Sequence, residues 1–132
     1  SAALIWSILK GKKKIYLTMF EASPKIDSGN IYYQSFFKLK GNELSDEIRF
    51  LQAKTTISLI KKFLNKKNNK TYKQKGKSNF LRRRSPKDSE LNINKSIKDQ
   101  FNLLRVVDNE RYPAFFLYKG TKYLIKIFKE AK

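Results

Sequence analysis

The sequence contains no cysteine and no histidine among its 132 residues. The first absence removes disulfides, thiolate metal sites and cysteine nucleophiles together. The second removes imidazole, so acid–base chemistry through histidine is excluded within this chain. Acids are scarce as well: 11 Asp+Glu stand against 30 Lys+Arg, a formal charge of +19. Such a balance attracts phosphates, nucleotides, nucleic acid or anionic lipid heads. A plainer reading stands beside that one. Lysines far outnumber arginines, and Asn, Ile and Lys abound, as genome-wide compositional bias produces. Bidentate phosphate clamps and base readers favour Arg. Long apolar runs are also missing. Ala2 to Leu9 is far shorter than the ~20 residues that span a bilayer, and no basic region precedes it as in a signal peptide. We therefore expect no membrane partner and a cytoplasmic location. The chain opens on Ser1 inside this apolar stretch, which reads as a fragment whose upstream polypeptide covered it.

What is present suffices for one core, with 40% hydrophobic residues. Ala2 to Leu9 reads as a short buried helix closed by Gly11, followed by the solvated turn Lys12-Lys13-Lys14. Ile15 to Phe20 shows little alternation and predicts a strand covered on both faces. A turn-rich stretch, Ser23 to Asn30, leads to a second strand from Ile31 to about Leu39. A helix is expected over Asn42 to Leu64, capped by Ser45, with Ile48, Leu51, Ile57, Ile60 and Leu64 along one stripe. Residues 65 to 79 are polar and lysine-rich, the candidate linker. A short helix over Ser96 to Val106 should place Ile97, Phe101 and Leu104 on one face. Ala114 to Tyr118 and Thr121 to Phe128 read as a terminal hairpin across Lys119-Gly120. The run Phe115 to Tyr118 looks built for burial on both sides.

Three segments carry chemistry. In Lys25-Ile26-Asp27-Ser28-Gly29-Asn30-Ile31 an acid sits on a glycine-bearing loop between two hydrophobic strands. Gly29 is the loop-shaping residue, permitting a sharp turn and close backbone approach. Alone, Asp27 reads as an Asx-turn residue bonded to its own backbone. The second segment is Arg82-Arg83-Arg84-Ser85-Pro86-Lys87-Asp88-Ser89-Glu90-Leu91. Its three cations form a solvated basic loop, meet a nucleotide diphosphate, or order the loop around Asp88. The third runs from Leu104 through Asn109-Glu110-Arg111-Tyr112-Pro113 to Phe116. There Tyr112, Phe115 and Phe116 serve either the core and hairpin or a base-stacking platform.

Taken in series, these segments resemble the folate-dependent formyltransferases, a family that includes methionyl-tRNA formyltransferase and the N-formyltransferases of nucleotide-linked amino sugars. In that family a "GxSPxxWAIxxGE" helix leads to a "VTLH" strand and an "IDxGDI" loop. Here the helix carries Trp6 and Gly11, Ala2 replaces the Pro, and Asn30 stands where the second acid of the loop lies. The arginine segment resembles "RRTPEDSxI", with Ser85 for Thr and Lys87 for Glu. The third resembles "LLRAxxNExYPAFF" of the sugar-nucleotide branch. The matches cover most of the chain in the family's order and spacing.

The resemblance implies a fold and a chemistry. Expected is an α/β chain: residues 1–65 as the C-terminal part of a Rossmann-like catalytic domain, 66–79 as a basic linker, and 80–132 as a small α+β appendage ending in a β-hairpin. The implied reaction moves a formyl group from 10-formyltetrahydrofolate to an amine. It uses an Asn and a His of an upstream "NxH" motif with the loop Asp, which Asp27 matches as the catalytic acid. The chain holds no His, so alone it is expected to be inactive. Arg82, Arg83, Arg84 and Tyr112 are the candidate substrate-binding residues, and no metal is called for. A nucleotide-linked amino sugar is the expected acceptor, with methionyl-tRNA as the alternative. A non-enzymatic, basic nucleic-acid-binding module is the reading from another class. Edges left bare by the missing strands suggest association into a homo-oligomer.

Overall fold

Ile8 is the most deeply buried large side chain, 1% exposed, and the fold can be read outward from it. In this computed structural model the described residues are 2–25, 29–76 and 81–131. Ile8 lies on the first helix, α1 (Ala2–Leu9), beside Leu4. Both pack with Ile15 of β1 (Lys14–Phe20), Phe37 of β2 (Ile31–Lys38), Leu39, Ile48 of α2 (Ser45–Asn65) and Val106 of α3 (Phe101–Val106). α1 ends where Gly11 takes φ 80°, with Lys10, Gly11 and Lys12 N–H groups donating to the carbonyls of Trp6, Ile8 and Ser7. A side chain there would find space but a strained backbone.

β1 and β2 pair antiparallel in register from Lys14↔Lys38 to Met19↔Tyr33, with an irregularity at Met19/Phe20. Ile15 and Phe37 face the core, whereas Tyr16 and Phe36 stand exposed with rings 5.9 Å apart and Lys14 Nζ 4.0 Å from the Phe36 ring. This corrects the expectation of a strand covered on both faces. Its outward side carries Lys14, Tyr16 and Thr18, and the aromatic Tyr16 masks the alternation in the sequence.

α2 begins at Ser45, later than expected, and Ser45 does not cap it. The preceding Leu44 is the cap residue and makes no side-chain cap bond. Glu43 organises this turn instead, its carboxylate accepting the N–H groups of Lys40 (2.7 Å) and Gly41 (2.9 Å). The expected stripe is also divided. Ile48 is buried, but Ile57, Ile60 and Leu64 are 52%, 45% and 72% exposed, and Leu59 takes the inward place.

The segment expected as a linker makes contact with β2. Tyr72 and Ile31 exchange N–H···O bonds of 3.0 and 2.8 Å. The Asn69 side chain donates to the Phe63 carbonyl (3.0 Å) and accepts from the Tyr33 hydroxyl. Packing crosses the expected boundaries at 65 and 80 as well, since Val106 sits in the core of α1 and β1.

A second cluster joins Leu91, Leu104, Val107 and Ala114, with Phe101, Phe116 and Ile125 against it. The helix expected from Ser96 starts as a 3₁₀ turn at Lys98–Gln100, where Ser96 Oγ accepts the Asp99 N–H at 3.0 Å. Ile97 lies outside the apolar face, 71% exposed. β3 (Ala114–Tyr118) and β4 (Thr121–Ile125) pair antiparallel across Lys119-Gly120, with φ of 49° and 77°. Two consecutive positive φ values fit the tight turn that right-twisted strands prefer. β4 ends before Phe128, which is 73% exposed. Of the run expected to be buried on both sides, only Phe115 is buried; Leu117 and Tyr118 are exposed.

Arg105 is 2% exposed and pairs with Glu43 at 3.5 Å. It also donates to the Glu43 carbonyl at 3.2 Å and to Asn102 Oδ1 at 2.8 Å. Burial alone would raise the Glu43 pKa, but backbone N–H groups and the Arg105 charge hold it below the ordinary 4.5. A depressed carboxyl contributes its stability above the unfolded value and loses it as pH falls. Arg105→Met should therefore cost about 3 kcal/mol in urea unfolding by leaving a buried carboxylate unpaired. The wild-type chain should lose stability below pH 4.5 more steeply than this variant.

Candidate functional site

Two places gather the chemistry-bearing segments. The first is the loop between β1 and β2. Asp27, with Ile26 and Ser28, lies outside the described residues. Its mouth is described: the Glu21 N–H donates to the Asn30 carbonyl at 2.7 Å, closing the loop at its base. Gly29 sits against that same stretch so closely that a Cβ would come 1.9 Å from the Glu21 carbonyl oxygen. No side chain fits there, so close approach accounts for this glycine. The segment after α2 braces the other side. Gln74 Nε2 donates to the Gly29 carbonyl (2.6 Å) and Asn30 Nδ2 to Thr71 Oγ1 (3.5 Å).

The second place is the arginine segment. Pro86–Ser89 forms a 3₁₀ turn started by Pro86 and closed by a reciprocal cap. Asp88 accepts the Ser85 N–H at 2.7 Å, and its own N–H donates to the Ser85 carbonyl at 3.0 Å. Arg82 meets Asp88 with both terminal nitrogens, one at 2.7 Å. That two-pronged contact, with the Ser85 N–H, holds the Asp88 carboxyl far below the usual carboxylate range. The unit is fastened to α1 by Trp6, whose Nε1–H donates to the Arg82 carbonyl at 2.9 Å. The guanidinium carbons of Arg82 and Arg84 lie 4.9 and 5.5 Å from the Trp6 ring. Such stacking orients a guanidinium while leaving its edges able to donate.

Beside this unit opens a cavity of about 400 Å³. Leu4, Ile5, Ile8, Ile48, Val106 and Val107 form its apolar wall. Arg49, Arg83, Arg84 and Arg111 bring four guanidinium groups to it, against the single carboxylate of Asp108; Tyr112 and Gln52 also line it. Arg84 is held by a 3.2 Å bond to the Asp88 carbonyl, and burial lowers its pKa from the ordinary 12.5. Asp108 is committed elsewhere. It accepts the N–H groups of Glu110 and Arg111 at 2.9 and 3.0 Å and lies 3.6 Å from Arg49. The Arg111 and Glu110 N–H bonds hold its carboxyl below the ordinary 3.8. Arg83 makes no hydrogen bond or ion pair among the described residues. The arrangement suits an anion carried on a partly apolar body.

The four sequence-derived binding candidates thus separate. Arg83, Arg84 and Tyr112 line one cavity, and Tyr112 is 54% exposed rather than core. Arg82 turns to Asp88 and orders the loop. Arg49 and Arg111 were missed. Arg111 could have been found in the third motif; Arg49 carries no motif and comes in through the facing of α2. Among the described residues no cluster of His, Cys, Asp and Glu could hold a metal ion, and no helix is long and apolar enough to cross a membrane.

Trp6 is the sole tryptophan, so its fluorescence reports on the Arg82–Asp88 unit. Asp88→Asn should red-shift its emission at neutral pH. In the wild-type chain, where the folded pKa is depressed, the same shift should appear only on acidification well below 3.8.

No protein-family model matches the chain. Methionyl-tRNA formyltransferase of Lactobacillus johnsonii is 23% identical over 128 residues, covering 94% of this chain and 40% of that protein. The solved methionyl-tRNA formyltransferase from Clostridium thermocellum matches with TM-score 0.81 and 23% identity, covering 97% of this chain and 56% of the other. A sugar N-formyltransferase from Shewanella matches with TM-score 0.70 and 20% identity, covering 100% and 56%. HypX from Aquifex aeolicus, solved with tetrahydrofolic acid, matches with TM-score 0.72 and 17% identity, covering 96% and 23%. The chain therefore spans less than two thirds of the length of each of these proteins. The formyltransferase resemblance carried by the three motifs is met by a sequence relative and by solved structures of that name, and the mixed α/β fold of this chain is the fold of a portion of those enzymes.

Proposed function

We propose that the chain is part of a folate-dependent N-formyltransferase, supplying the catalytic carboxylate Asp27 and an anion site for the acceptor. The donor in this reading is 10-formyltetrahydrofolate. The acceptor's uncharged amine attacks the formyl carbon, a new C–N bond forms, and the bond to folate N10 breaks. The amine proton passes to N10, leaving a formamide and tetrahydrofolate. Asp27 steadies the protonated form of an imidazole supplied by other polypeptide, and an amide donates to the developing oxyanion. Residues 1–65 then complete a Rossmann-like domain, and 80–132 form the appendage.

One observation supports the acceptor most. The chain has six arginines among 30 basic residues, yet four of the six line one cavity, and no lysine does. Compositional drift scatters lysine; it does not concentrate arginine. Planar guanidinium groups above an apolar wall suit a diphosphate joined to a sugar and a base, with Tyr112 at the rim. We therefore favour a nucleotide-linked amino sugar. The similarity to methionyl-tRNA formyltransferases, together with the charge of +19, favours tRNA as the second reading.

Titration calorimetry of this chain with uridine and thymidine diphosphates, over a salt series, separates the two. Nucleotide binding weakened about tenfold by Arg83→Ala or Arg111→Ala is expected for the sugar nucleotide. Failure of both nucleotides, with tight and steeply salt-dependent tRNA binding, would replace it by the second reading. In the complete enzyme Asp27→Asn should lower formyl transfer by about 100-fold or more while leaving nucleotide affinity in place.

A further inference from the structure

α2 is apolar on two opposite faces. Its inner face carries Ile48, Leu51, Leu59 and Phe63 toward β1 and β2. Its outer face carries Phe50, Ala53, Ile57, Ile60 and Leu64, all exposed; Phe50 and Leu64 are 68% and 72% exposed. These five positions are separated by three, four, three and four residues. That is the spacing of a seam that packs helix on helix. A helix that only covers a core is polar on its outer side, so this stripe is surplus to the fold described.

We infer that this face is an interface between two copies of this chain, with the two α2 helices antiparallel about a two-fold axis at Ile57. Charge selects both partner and orientation. α2 begins with Asp46 and Glu47, whereas Lys61, Lys62, Lys66 and Lys67 gather at its other end. In a parallel pair each end would meet its like. Antiparallel, the acidic first turn of one copy lies beside Lys67 of the partner subunit, and the two helix dipoles oppose. Asp46 is suited to this: its side chain is 91% exposed, and among the described residues its ion pair is the local contact with Arg49, whereas Glu47 is already paired with Lys129.

Side-chain sizes agree with the same register. With Ile57 on the axis, Phe50 faces Leu64 of the partner subunit, and the small Ala53 faces Ile60 of the partner subunit. Large against small at facing positions lets layers interdigitate. The seam spans fourteen helical steps, about 21 Å of a helix about 31 Å long. A chain of net charge +19 would resist self-association unless its few acids met cations across the contact. This interface is independent of the reaction proposed above.

Sedimentation velocity on the chain over a concentration series tests it. A reversible dimer is expected, with Ile57→Glu raising its dissociation constant about 100-fold by burying two like charges. Ile57 is half exposed in the single chain, so the variant should melt close to the wild type. Orientation is read separately, because the chain has no cysteine to interfere. Ile57→Cys should cross-link to itself under mild oxidation. Phe50→Cys and Leu64→Cys should cross-link when mixed and not when alone. A chain monomeric at every concentration would overturn the inference. So would a dimer indifferent to Ile57→Glu, self-linking of Phe50→Cys, or a monomer whose α2 instead binds anionic phospholipid vesicles.

Discussion

The buried pairing of Arg105 with Glu43 fixes more of this molecule than any other contact. Glu43 uses one carboxylate to hold the turn before α2, through the Lys40 and Gly41 N–H groups, and to receive Arg105 from α3. The turn sets where α2 starts. The arginine sets where α3 lies, and so brings Val106 into the core beside Ile8. The next residues along the chain, Val107 and Asp108, become cavity wall. A buried ion pair is weak evidence for stability, since desolvation opposes it. Its effect here is to select one arrangement, because a guanidinium 2% exposed has few other places to find partners.

The charge distribution gains meaning only with the fold in hand. Asp46, Glu47, Asp88, Asp108 and Glu110 each meet a cation on the surface or at the cavity edge. Between Glu47 and Asp88 the sequence has no acid at all. The described lysines of that stretch stand in solvent or over rings, as Lys62 and Lys66 do with Tyr33. Exposed lysines of this sort carry solubility and long-range attraction. The arginines behave differently: four gather at one apolar-walled cavity, Arg105 is buried, and Arg82 is spent on Asp88. A single composition thus holds two populations of cation, and the basic excess alone could not tell them apart.

Much of the element order was legible because local signals were strong: Gly11 after an apolar run, aromatic and β-branched stretches, and Lys119-Gly120 between two apolar strands. Three features were not. Tyr16, at an outward position of β1 between Lys14 and Thr18, is aromatic, so the alternation of that strand is muted in the sequence. α2 is apolar on both sides, which a search for one stripe merges into a single face. The Tyr72–Ile31 pairing rests on backbone groups in a polar, lysine-rich stretch, and backbone pairing leaves little trace in side chains. Of the site, the motif arginines could be named but not sorted. Only the geometry separates Arg82, spent on Asp88, from Arg83, which lines the cavity with no ion pair among the described residues.

The cavity and the loop mouth share a feature that bears on how a ligand is held. The cavity is walled by α1 and α2 on one side and by residues 83–89 and 106–112 on the other. Trp6 and Arg82 tie the two sides together across 76 residues of sequence. The loop mouth is likewise bound on one side by β1 and β2 and on the other by residues 69–74. Residues of the segment expected as a linker thus stand beside the loop mouth, bonded to β2 and to Gly29. Four guanidinium groups facing a single carboxylate above an apolar wall favour an anion at the cavity, and that is the structural ground on which a nucleotide is proposed there.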